Sequence, residues 1–88
     1  MIDDVYRPVA CALHESYQYA VMTRSLLDLS WRDDAGVSHT ARVLPVDVVT
    51  REQAEFLVFR EKDGTQGTVR LDRVEQALLV RTGERLSG

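Results

Sequence analysis

The chain has one cysteine, one lysine, two histidines and no long apolar run, so it is poor in the residues on which most small-protein chemistry depends. Cys11 alone cannot form an internal disulfide, which suits a reducing compartment. Cys11 and His14 stand three apart, on one side of a helix, but with His39 as the only other histidine they are too few for a zinc site. A catalytic thiol would also need an oxyanion donor that nothing in the sequence announces, so Cys11 reads as a structural residue packed under a helix start. The five glycines (Gly36, Gly64, Gly67, Gly83, Gly88) fall at turns or at the end, none as a phosphate loop before a helix. No stretch approaches the roughly 20 apolar residues that span a bilayer. The opening Met1-Ile2-Asp3-Asp4 lacks the basic start and apolar core of a secretion signal. No enzyme activity, cofactor or metal is therefore expected, and the chain is expected in the cytoplasm and away from membranes.

What is present is ordinary globular composition, 44% hydrophobic and 28% charged, over 88 residues. A chain this short supports a single core, so function must sit on its surface. The net charge of −3 is unevenly spread. Asp3, Asp4 and Glu15 face Arg7 alone in residues 1–23, whereas residues 51–88 are balanced. Nucleic-acid binders generally carry a basic face, so this sign favours a basic protein partner over direct RNA or DNA binding. Ten of the eleven basic residues are arginine.

Periodicity places the elements. Residues 1–10 read as an extended N-terminus fixed by Pro8. Residues 11–24 read as a helix burying Leu13, Tyr17, Ala20 and Val21, with His14, Glu15, Gln18 and Met22 on another face. From residue 25 to 81 the period becomes two. Leu27, Leu29 and Trp31 form a first strand, and Asp33-Asp34-Ala35-Gly36 a turn. Val37, His39, Ala41 and Val43 form the second strand, ended or bent at an edge by Pro45. Phe56 to Phe59 is apolar on both faces, and Lys62-Asp63-Gly64 turns the chain back. Val69 and Leu71 form a fourth strand, Asp72-Arg73-Val74 a tight turn, and Ala77–Val80 a fifth strand, leaving 82–88 as a frayed tail. The predicted fold is mainly β: an N-terminal α-helix followed by a small five-stranded antiparallel barrel, SH3-like or Sm-like. Leu29, Val58 and Leu71 are expected in one core, as are Tyr17, Trp31 and Phe56, with Tyr19 and Phe59 the exposed aromatics. Asp72 is expected to cap the tight turn or to pair with Arg70 or Arg73.

Two signatures about 50 residues apart carry a resemblance. The chain opens with Tyr6-x-Pro8-Val9-x-Cys11, and later reads Glu55-Phe56-Leu57 followed by Arg70-Leu71-Asp72. With the intervening helix, the leucines Leu27 and Leu29 and the Asp33–Gly36 turn, this order resembles the Rof family, small bacterial proteins that bind and inhibit the transcription terminator Rho. The pattern covers residues 5 to 76. The resemblance implies an acidic surface, including the helix, that docks on the basic RNA-binding region of Rho, blocks RNA loading and lets transcription read through. It implies a monomer with partner-binding residues Asp3, Asp4, His14, Glu15 and Gln18, and Asp47, Arg51 and Glu52 around the Thr50–Gln53 connection. The chain departs from the family at Ala12 and Gln18, where acids are the rule. An Sm-like RNA-binding module, or a Rof-like protein with another basic protein partner, are the alternatives.

Overall fold

A computed structural model describes residues 11–86, and side chains from Leu13 onward. Asp3, Asp4, the Tyr6–Val9 signature and the side chain of Cys11 lie outside the described residues.

Helix α1 spans Cys11–Met22. Tyr17 and Ala20, one face of the helical repeat, are buried, with Leu13 packed beside them. The helix stops two residues short of the expected end. Arg24 there takes a left-handed φ of 52°, and Ser25 N–H donates to the Ala20 carbonyl and Arg24 N–H to that of Val21. That double bond is the usual way for a chain to satisfy the last helical carbonyls.

Five antiparallel strands follow: β1 Leu27–Arg32, β2 Ser38–Arg51, β3 Ala54–Glu61, β4 Gln66–Arg70 and β5 Val74–Leu79. Their order in the sheet is β4-β3-β2-β1-β5. A 3-10 turn, η1 (Leu71–Arg73), carries the chain from one edge of the sheet to the other.

Pro45 bends β2 and does not end it. Residues 38–43 pair with β1 and residues 43–51 with β3, and the register slips between Pro45 and Asp47. Proline lacks an N–H, and Pro45 lies beyond the part of β2 that pairs with β1, where the missing donor costs least. The bulge turns the sheet so that its halves curl over a shared interior. Trp31 of β1 meets Phe59 of β3 there, with ring centroids 5.3 Å apart. Leu27, Leu29, Val43, Leu57, Val69, Leu71 and Ala77 complete the core under Tyr17 and Ala20.

Three expectations are corrected. Val58 is only partly buried, because the inward face of β3 is Leu57 and Phe59. Phe59 is 2% exposed and Phe56 lies on the other face, the reverse of the expected assignment. A strand apolar on both faces carries no phase, so its inward side is set by partners on β2 and β4. The tail is also not frayed through its whole length: Leu79 N–H donates to Glu84, and Leu86 N–H to Ala77, so the chain returns along β5 after a turn at Gly83.

Candidate functional site

Cross-strand register fixes which residues can share a surface. Glu55 opposes Thr50 and Leu57 opposes Val48, whereas Phe56 opposes Val49 and Val58 opposes Asp47. Opposed residues point to the same side of a sheet, so Glu55, Leu57 and Phe59 form the face under α1 and Asp47 and Arg51 belong to the other.

His14 is the joint between helix and sheet. Its Nδ1 lies 2.8 Å from Glu55 Oε2, with both side chains mostly shielded. The contact lacks the alignment of a hydrogen bond, and Nδ1 is shielded from solvent. His14 thus faces the sheet. Glu15 and Gln18 are exposed on the outer side of α1, next to His14 around the helix, where Tyr19 (62% exposed) and Met22 (79%) extend the same stripe. No ion pair holds Glu15 among the described residues.

The stripe borders a cleft of about 410 Å³ between α1 and the C-terminal return, lined by Glu15, Ser16, Tyr19, Leu79, Glu84, Arg85 and Leu86. Two carboxylates, an aromatic ring and an apolar floor, with one arginine at the margin, suit a basic side chain entering from outside. Glu84 was not identifiable from the sequence, which gives no sign that residues after Gly83 fold back on β5.

The hairpin residues lie apart from this cleft. Glu52 and Gln53 form a two-residue turn, both at positive φ (50° and 67°). Arg51 stacks over the Phe56 ring, 5.5 Å from its centroid, and Asp47 bonds the Val48 N–H beside the bulge. Among the described candidates, Glu15 and Gln18 therefore form one surface, Asp47, Arg51 and Glu52 mark the other end and face of β2, and His14 is turned inward.

The residues of the later signature turn out to be scaffold. Leu71 is 2% exposed in the core. Arg70 and Asp72 form a two-pronged pair, 2.8 and 2.9 Å, that clamps η1, and Arg73 reaches Asp34 at 2.9 Å. Of the signature residues, Glu55 reaches α1, through His14. At the other hairpin, Asp33 accepts from Ala35 N–H, Val37 N–H and His39, and these bonds, His39 first, hold its carboxyl below the usual range. That is turn chemistry. No helix among the described residues is long and apolar enough to cross a membrane. No family model and no curated protein matches the chain.

Proposed function

We propose that the chain is a Rho-binding antitermination factor of the Rof kind, acting by occupying the RNA-binding region of Rho and without catalysis. The observation that carries this reading is the outer stripe of α1: Glu15 stands exposed and unpaired among the described residues, beside Glu84 and the Tyr19 ring. The order of signatures supports it in a second way. Glu55 meets His14 of α1, Arg70 and Asp72 clamp η1 and Leu71 lies in the core, so the residues that resemble the Rof pattern serve the scaffold. A carboxylate-bearing surface competes with a polyanion by offering the same charge to the same basic residues.

The RNA-binding alternative needs arginines free to neutralise phosphate. A groove near Trp31 and Phe56 is lined by three arginines, each held by a carboxylate: Arg32 by Glu75, Arg70 by Asp72 and Arg73 by Asp34. Direct RNA binding is the weaker reading for that reason. The test is binding to purified Rho with and without RNA competitor. Glu15→Lys is expected to weaken the complex by on the order of 1 kcal/mol or more without changing thermal stability.

A further inference from the structure

The return along β5 is pinned at several points. Leu79 N–H donates to the Glu84 carbonyl at 2.8 Å, Gly83 N–H to that of Leu79 at 2.7 Å and Leu86 N–H to that of Ala77 at 2.8 Å, with a bridge between Leu78 and Arg85. The Thr82 hydroxyl accepts from Glu84 N–H at 3.2 Å and donates to Glu84 Oε1 at 3.4 Å. Leu79 and Leu86 pack against the core. Main-chain bonds on either side and an apolar anchor give Glu84 a fixed backbone position, although its side chain stands in solvent.

That position matters because the return is one wall of the 410 Å³ cleft, facing Glu15, Ser16 and Tyr19 of α1 across Leu79 and Leu86. Glu15 and Tyr19 are four apart on the helix, so a carboxylate and an exposed ring project side by side. Glu84 brings a second carboxylate from an element far away in the chain, and neither acid is in an ion pair among the described residues. A cleft with two carboxylates, an aromatic face and an apolar floor repels anions and sorts cations by shape. A guanidinium is flat and weakly hydrated, so it stacks on a ring while donating sideways to carboxylates, whereas an ammonium is a compact, strongly hydrated charge that is harder to strip of water against leucines.

We infer that the cleft between α1 and the return is a receptor for one arginine side chain presented by a protein partner, with the guanidinium on the Tyr19 ring and between Glu15 and Glu84, and its aliphatic stem along Leu79 and Leu86. The inference rests on the proposed function for the identity of that partner, Rho, and adds two things to it. Glu84 and the return, which lie beyond the residues 5 to 76 that carry the resemblance, become part of the docking surface. Recognition there also depends on the shape of the cation and not on charge alone. A nucleic acid is the poorer occupant, because both carboxylates would face its phosphates.

The test has one arm without Rho and one with it. N-acetylarginine amide is titrated into the full chain while the amide resonances of Glu15, Tyr19, Glu84 and Leu86 are followed, with the lysine and citrulline analogues in parallel. Arginine should move these resonances, lysine should move them less, and citrulline, which keeps the shape and lacks the charge, should leave them in place. At equal ligand, the shifts should shrink to about half or less in Glu84→Gln and in Tyr19→Leu. In the second arm Glu84→Gln should weaken Rho binding about fivefold or more, and Glu75→Gln, a carboxylate outside the cleft, should not. The inference is overturned if arginine and citrulline act alike, if lysine matches arginine, or if Glu84→Gln leaves the arginine shifts unchanged. Rho binding by wild type that is indifferent to Glu84→Gln also overturns it and leaves the proposed function standing. Arginine shifts of the expected pattern without any Rho binding support the cleft and remove Rho as its partner.

Discussion

Replacing Gly67 with alanine tests the barrel at its tightest point. A Cβ at this position would lie 2.6 Å from Phe59 Cζ and 2.8 Å from Cε1, closer than non-bonded carbons approach. The Phe59 ring cannot swing clear, because it is 2% exposed and packed against Trp31 with ring planes inclined by 55°. Forcing an extra methyl into a filled core costs about 1–3 kcal/mol. Gly→Ala returns about 0.4–1 kcal/mol by restricting the unfolded chain. The net expectation is a loss of about 1–2 kcal/mol, which in a domain of this size lowers the melting temperature by roughly 5–15 °C. Thermal unfolding followed by circular dichroism gives the loss, and Trp31 emission should shift in the folded state as Phe59 is displaced. Phe59→Leu in the same background should recover part of the loss, with a coupling of about 0.5 kcal/mol or more. A variant as stable as wild type, or two additive substitutions, would refute the packing described between β3 and β4.

Three further outcomes follow from the same coordinates. Leu57→Ala should cost about 2–5 kcal/mol and Val58→Ala about 1 kcal/mol or less, and the reverse ranking in denaturant titrations would put the wrong face of β3 inward. Burial pushes the Tyr17 hydroxyl up to about 12 from an ordinary 10.0, so the folded state keeps a proton that the unfolded chain releases. Stability should therefore fall as pH rises from 10 towards 12, by about 2–3 kcal/mol in all, and Tyr17→Phe should lose this component of alkaline unfolding. Gln53→Gly should raise stability by up to about 1 kcal/mol, since a side chain at φ 67° is strained where glycine is not, and an unchanged melting temperature would count against the turn geometry.

How much of this was readable from the sequence depends on whether a residue's role is local. The helix stripe at Tyr17 and Ala20 and the alternation of Leu27 and Leu29 are periodic signals, and they place those residues where the core lies. The turns at Asp33–Gly36 and Asp63-Gly64 follow from side chains that bond their own backbone. The phase of β3 was not readable, because Phe56-Leu57-Val58-Phe59 is apolar in both phases and Gly67, on another strand, helps make room for Phe59. The continuation of β2 past Pro45 depends on its exchange of one neighbour for another. For the site, Glu15 and Gln18 were placed by helical spacing alone. His14 shares their face on a helical wheel but is drawn inward by Glu55, a contact 41 positions away in the chain that no local pattern encodes. Glu84 joins the cleft only through the return along β5.

The most direct test of the proposed function is a competition between this protein and a single-stranded RNA ligand for purified Rho, run at low and at high salt with wild type and Glu15→Lys. The account predicts that wild type displaces RNA and reduces termination in a reconstituted assay. It predicts weaker displacement as salt rises, because complementary charge drives the encounter, and displacement weakened about fivefold or more by Glu15→Lys while the melting temperature holds. Absence of Rho binding by the folded wild type at low salt, or displacement indifferent both to salt and to Glu15→Lys, would contradict it.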